Sequence, residues 1–174
     1  MLNKNCSGES LVEVMVALLL LGVGVLGFAL LQLRAVDASN QGFKQTLAMN
    51  IARDLAEKMR INYAAYSSYQ RLLASPSTSA SVGQTCYDKF CSASAKASAD
   101  VYEAYIYATQ LGMRLSMLQC PATANDRQCI YVAWGNTSPT DNRVHDEQNV
   151  PCTLSNNSGF HYHGRAQCIV LEAY

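Results

Sequence analysis

The first part of the chain is dominated by one apolar run. From Val14 to Leu31, 18 consecutive residues carry no charge, amide or hydroxyl group. A helix that rises about 1.5 Å per residue would make this run about 27 Å long, which nearly matches the hydrocarbon core of a bilayer. A core helix of a soluble protein would show a polar face, and the apolar region of a secretory signal peptide is shorter and precedes a small-residue cleavage site. The run therefore predicts a membrane-spanning helix.

Beyond the apolar run, the pattern becomes amphipathic. Apolar residues recur every four positions as Phe43, Leu47, Ile51, Leu55, Met59 and Tyr63, with Ala48, Ala52 and Ala56 beside them. Charged residues such as Asp54 and Lys58 fall mostly on the other side of the same helix. We therefore expect one long helix, whose second half buries an apolar stripe in a soluble core.

The remainder of the chain predicts one more helix followed by strands. Residues 74–99 are rich in Ser and Ala and are interpreted as a loop. A helix is expected over residues 100–118, because Asp100 and Glu103 resemble a capping box and apolar residues follow at helical spacing. Alternation predicts a strand from Gln128 to Trp134, and weaker strand signals lie at 159–163 and 167–173. The order predicts an α+β fold, with the amphipathic half of the long helix packed on a small antiparallel sheet.

Glu13 stands one residue before the apolar run. A carboxylate inside a bilayer is costly, so its presence asks for a partner. No basic residue lies on the same helical face within one turn. Glu13 is therefore either solvated at the headgroups or paired with a group from another chain, and the spacing alone leaves both interpretations open.

The residues around Glu13 resemble a known processing signal. The stretch from Gly8 to Ala17, GESLVEVMVA, is similar to the class III signal of type IV prepilins and type II secretion pseudopilins. The stretch from Arg53 to Asn62 and the segment from Tyr131 to Trp134 resemble minor pilins of the PilV type. In this superfamily, a peptidase cuts after the Gly and methylates the new terminus, and Glu is the fifth mature residue. The resemblance implies cleavage after Gly8 and a Glu13 that meets the terminal amine of a neighbouring subunit. Glu9 would be methylated, although the family usually has Phe at that position.

The resemblance also implies an organisation and a function. Residues 1–8 would be the leader peptide, residues 9–34 the transmembrane and assembly half of the helix, and residues 35–174 a periplasmic pilin-like globular domain. The subunit would cross the bacterial inner membrane once and later enter a type IV pilus at the cell surface. It would prime assembly or sit at the tip, with a role in adhesion or twitching motility. Its partners would be other minor pilins, the major pilin, the prepilin peptidase, the inner-membrane assembly platform and, before assembly, the lipid bilayer.

Two other functions share parts of this pattern. A type II secretion pseudopilin would have the same amino-terminal features, and the genes beside it or the process lost on deletion would separate the two. A membrane-anchored periplasmic binding module that never polymerises would keep the helix. Such a module would need neither Glu13 nor cleavage.

Cysteine usage fits an oxidising compartment. Removal of the leader would take Cys6 away and leave an even set, which consists of Cys86, Cys91, Cys120, Cys129, Cys152 and Cys168. Six cysteines allow fifteen pairings, and the sequence does not choose among them. We expect neighbours to pair, because each such pair brackets a loop next to a predicted element, and the last pair would tie down the carboxy-terminal strand as in many pilins. Zinc is the rival interpretation, but no CxxC motif occurs.

Composition narrows the remaining function classes. The chain has 13 Lys+Arg against 13 Asp+Glu, so it offers no basic surplus for a nucleic-acid partner. No nucleophile elbow, phosphate loop or dinucleotide motif appears, and we expect neither an enzyme nor a cofactor. His161 and His163 would share one side of a strand, and His145 could join them at a metal ion. Surface or packed histidines are far more common, so no metal site is predicted.

Overall fold

The computed structural model describes residues 11–74, 86, 90–121, 123, 126–142, 149–156 and 159–173. The chain divides into two compact units, Met1–Phe43 and Lys44–Tyr174. The first helix, α1, spans Leu11–Ile61 and runs through both. The predicted processing residues Gly8 and Glu9 lie outside the described residues.

The described part of the first unit is the apolar beginning of α1. All of its residues from Leu11 to Phe43 are exposed. By its length and composition, α1 is the one helix among the described residues that could cross a membrane. The predicted long amino-terminal helix with an apolar start is thereby confirmed.

The second unit contains the rest of α1 and two shorter helices. A 3-10 turn at Tyr63–Ala65 leads into α2 at Tyr66–Ala74, and α3 spans Ala93–Gln110. The predicted stripe on α1 is buried at Ala48, Ile51, Ala52, Leu55, Ala56 and Met59. The two ends of the predicted stripe, Phe43 and Tyr63, are instead 65% and 72% exposed.

Six strands occur in the described part of the second unit, and they form two sheets. The strands of the main sheet are β1 at Met113–Gln119, β2 at Gln128–Trp134 and β6 at Cys168–Ala173. They lie in the order β1-β2-β6, and both pairs are antiparallel. The second sheet has the order β3-β4-β5, with strands β3 at Thr137–Asp141, β4 at Val150–Asn156 and β5 at Gly159–Tyr162. In it, β3 and β4 pair in parallel, and β4 and β5 pair antiparallel.

Strand register directs two cores to opposite faces of the main sheet. Leu115 lies opposite Val132, and both belong to the larger core, which also contains the buried faces of α1, α2 and α3. Tyr131, one position along β2, points to the other face because side chains alternate along a strand. There it belongs to a smaller group that we call the cystine cluster, formed by Cys120, Cys129, Tyr131 and Cys152 with Leu118, Cys168 and Val170 packed against it.

The architecture agrees with the predicted α+β class, but the bounds of one predicted helix are wrong. The helix expected over residues 100–118 begins earlier, at Ala93, and ends at Gln110. Its N-cap is Ser92, whose Oγ accepts a hydrogen bond from the amide of Ala95, so Asp100 does not cap it. Gly112 then adopts a φ of +68°, a conformation that suits glycine. The chain reverses there into β1, which occupies the end of the expected helix.

Candidate assembly surface

The apolar half of α1 presents its side chains outward. The large apolar residues from Leu11 to Leu33 are between 46% and 75% exposed. Exposed apolar area of this extent is unfavourable in water, at roughly 25 cal/mol per Å², and monomeric soluble proteins rarely show it. The segment therefore requires another apolar environment, which is either lipid or other helices.

Glu13 occupies the first turn of α1 and is exposed. Along the described part of α1, the first basic residue after Glu13 is Arg34, about 32 Å further along the helix axis. Within that stretch, α1 itself supplies no cation to Glu13.

The six cysteines of the globular part form three disulfides. Cys86 bonds to Cys91, Cys120 to Cys129, and Cys152 to Cys168. This is the pairing of neighbours that the sequence favoured. The second bond connects the residue after the end of β1 to the beginning of β2. The third bond joins β4 of the second sheet to β6 of the main sheet.

A buried polar network, which was not predicted from the sequence, joins α2 and α3. Asp100 is 1% exposed, and its Oδ2 accepts a 2.6 Å hydrogen bond from the hydroxyl of Tyr69 on α2. Its Oδ1 accepts a 2.7 Å hydrogen bond from Nζ of Lys96 one turn earlier. Burial raises the pKa of Tyr69, and the bond to Asp100 raises it further. The sequence did contain a signal for it, because Asp100 stands among small residues, four positions after Lys96, which is the spacing of an ion pair on a helix.

A second polar contact links α1 to α3 nearer the surface. Nζ of Lys58 lies 2.9 Å from Oδ2 of Asp54 and 3.0 Å from Oε2 of Glu103. Partial burial lowers the pKa of Lys58, but the hydrogen bonds to both carboxylates outweigh that effect, so its pKa is raised. Of the two pairs, the one between Lys58 and Glu103 links α3 to the second half of α1.

A third network fixes the second sheet. The hydroxyl of Thr153 donates a 2.7 Å hydrogen bond to Asp141, and the hydroxyl of Ser155 also bonds to that carboxylate. Tyr131, which is fully buried in the main sheet, has its hydroxyl 3.3 Å from Oγ1 of Thr153. Burial raises the pKa of Tyr131 to about 12. The network ties β3 to β4 and ties β4 to the main sheet.

The candidate histidine pair, His161 and His163, does not form a metal site among the described residues. His161 is exposed on β5, and His163 lies just past its end. Nδ1 of His163 accepts a hydrogen bond from the amide of Arg165 at 3.3 Å. His145 falls outside the described residues, and no group of three metal-binding side chains occurs among those described.

Comparison with known families matches two adjacent parts of the chain. Residues 3–29 match the model described as the prokaryotic N-terminal methylation motif, and residues 30–102 match the model described as type IV pilin Tt1218. Neither match distinguishes the PilV type, which stays a prediction. No curated protein and no solved structure matches the chain.

Proposed function

The chain belongs to the type IV pilin family, and from this premise we propose that it is a minor pilin that takes part in priming or tip formation of a type IV pilus. Membership supports a pilin or pseudopilin role, partners among other pilins and processing by a prepilin peptidase. The family is structural rather than enzymatic. The methylation motif and the apolar helix fit an inner-membrane-anchored pilin.

The observation that carries the proposal is the exposed apolar half of α1 with Glu13 at its start. Before assembly, the bilayer covers this surface, with the globular part in the periplasm. During assembly, the helix leaves the lipid and packs against the helices of other subunits. Apolar side chains keep an apolar environment throughout, so the transfer needs no large change in hydration.

Glu13 would then fix the position of each subunit along the filament. Its own helix offers no nearby cation, and the amine of a neighbouring subunit, freed by cleavage after Gly8, would pair with it. Two opposite charges among apolar helices attract strongly, but removing them from water costs a similar amount. The pair therefore sets the axial position of the subunit more than it adds to net stability.

The test is the replacement Glu13→Gln, which keeps the shape of the side chain and removes its charge. Membrane insertion and leader cleavage should be retained. Incorporation into pili should fall at least about tenfold, because an unpaired buried amine costs several kcal/mol. The measurement is the amount of subunit in sheared pili relative to the amount in the inner membrane.

Glu57→Gln is the matched control, since Glu57 lies on the second half of α1, where its side chain is 59% exposed and its carboxylate is 4.0 Å from Arg60. That variant should enter pili as the wild type does. Equal incorporation of Glu13→Gln at equal membrane levels would refute the pairing. A deletion strain that keeps its pili but loses protein secretion would assign the chain to a pseudopilus instead.

A further inference from the structure

The most exposed apolar side chains of the second unit surround one hydrogen bond. Nδ2 of Asn62, the residue after α1, donates to the carbonyl of Ala93 at the start of α3 at 2.8 Å. Ile61 and Tyr63 flank Asn62 and are 78% and 72% exposed. Phe90 precedes Ala93 by three residues and is fully exposed. No other large apolar side chain in the described part of this unit is as exposed as these three, which we call the corner patch.

The corner patch is restrained on both sides. The disulfide between Cys86 and Cys91, which are five positions apart, closes a small ring that contains Phe90. The ring centroid of Tyr63 lies 5.9 Å from that of Tyr66. A restrained surface loses less conformational entropy when it binds. The corner patch is therefore better suited to binding than apolar side chains on an unrestrained loop.

An open hollow adjoins the corner patch. Its volume is about 210 Å³, and it is lined by Ala56, Met59, Arg60, Tyr63, Tyr66 and Ala173. Sites for small molecules usually begin at about 300 Å³, so this hollow suits a single side chain better than a free ligand. The same region of the surface thus has a projecting aromatic side chain, Phe90, and a hollow beside Tyr63.

The edge of the hollow that α1 forms has exposed charges of both signs. The side chains of Glu57 and Arg60 are 59% and 61% exposed, and their charged groups are 4.0 Å apart. An exposed pair of this kind contributes little to stability, so both groups can meet charges of another molecule at little cost. One cation and one anion on the same edge are complementary to a copy of the same edge. They give no net attraction to a partner of a single charge sign.

From this shape and charge we propose that the corner patch binds a second copy of this chain across a two-fold axis. Phe90 of each copy enters the hollow of the other copy, and Arg60 of each copy faces Glu57 of the other copy. Aromatic side chains and arginine are the residues that most often dominate binding energy. A two-fold contact makes every pair twice and closes at two copies, so it does not extend into a filament. This inference does not depend on the proposed role in the pilus.

Sedimentation equilibrium of the full-length chain in density-matched detergent micelles tests the proposal. The wild type should form dimers, and Phe90→Ser should raise the dissociation constant of the dimer at least about tenfold, as expected when an aromatic anchor is lost. Because Phe90 is fully exposed, this variant keeps the core of the fold. Phe160→Ser is the matched control. It changes another exposed aromatic side chain of the same unit, outside the corner patch, and should leave the dissociation constant unchanged.

Charge reversal distinguishes this contact from association through the apolar half of α1. Glu57→Arg and Arg60→Glu should each weaken the dimer, because each puts like charges opposite each other. The double variant Glu57→Arg/Arg60→Glu restores opposite charges and should recover the affinity of the wild type. A wild-type chain that stays monomeric overturns the proposal. Dimers that Phe90→Ser or the single reversals leave intact also overturn it, and so does a double variant that fails to recover.

Discussion

The hydroxyl of Tyr69 donates a 2.6 Å hydrogen bond to the carboxylate of Asp100, and this bond joins α2 to α3 inside the globular part. Both side chains are almost completely buried, at 0% and 1% exposure. Lys96 neutralises the carboxylate from the solvent side. A buried charge is thereby accepted in a small core because each carboxylate oxygen has a donor.

Tyr69→Phe tests the weight of this bond. The ring would still fill its place in the larger core, but Oδ2 of Asp100 would lose its donor. The free energy of unfolding should fall by about 1.5–3 kcal/mol, the range for hydrogen bonds to charged groups, as measured by urea denaturation. Tyr107→Phe, at an exposed tyrosine of α3, should change stability by less than about 0.5 kcal/mol. Equal effects of the two variants would contradict the assignment.

Lys58→Met should have a much smaller effect. Methionine keeps most of the aliphatic stem and removes the charge that joins Asp54 and Glu103, whose side chains are 59% and 53% exposed. Because water screens such pairs, the loss of stability should be at most about 1 kcal/mol. It should also shrink in high salt. A salt-independent loss above about 2 kcal/mol would show that packing, rather than charge, is the role of this side chain.

Alkaline pH should weaken the fold through Tyr131. Its folded-state pKa of about 12 lies above the value of about 10 for an unfolded chain. The neutral form is therefore favoured in the folded state, and this contribution to stability is complete below about pH 10 and is lost as pH rises to about 12. The contribution amounts to about 2–3 kcal/mol. Denaturation of Tyr131→Phe should lack that part of the pH dependence, and an unchanged slope would refute the assignment.

Gly8→Leu should block removal of the leader. The resemblance to prepilins predicts that the peptidase cuts after this glycine, and a bulky residue there would obstruct cleavage. The full-length precursor should accumulate in the inner membrane, and intact mass spectrometry would show residues 1–8 still attached. Ser7→Leu is the neighbouring control and should be processed. Normal maturation of Gly8→Leu would place the cut elsewhere and would displace Glu13 from the fifth mature position.

Local patterns predicted the elements whose period was unambiguous. Strand β2 was expected from an alternating pattern that ends at the turn residues Gly135 and Asn136, and the structure gives it the same bounds, although all seven of its residues are buried. The buried stripe of α1 was likewise visible at Ile51, Leu55 and Met59. In both cases, a single secondary structure explains the spacing.

The end of the expected second helix shows why other elements were missed. Leu111, Leu115 and Leu118 repeat at helical spacing, yet Met113, Leu115 and Met117 are buried with strand periodicity. Gly112 between the two patterns selects the strand, since it allows the positive φ that ends α3. The pairing of β1 with β2 then completes the strand, and the spacing of the leucines does not contain that long-range information.

The remaining misses have similar causes. The Ser- and Ala-rich stretch before Asp100 looked like a loop, although alanine is the strongest helix former and Ser92 provides a cap. Strands β3 and β4 contain Pro139 and Pro151, which argue against strands in sequence. Asp100 was assigned to the start of a helix because it resembles a capping residue. Its buried partner, Tyr69, lies 31 positions away, so the local pattern did not reveal the hydrogen bond between them.

The bond from the amide of Val170 to the hydroxyl of Tyr162 bears on how copies of the chain meet. Val170 belongs to β6, a strand at the border of the main sheet, and unsatisfied amides on such borders invite strands from other molecules. Tyr162 occupies this donor with a side chain, which cannot propagate a ladder. At this position, β6 therefore offers no free amide to a strand of another molecule.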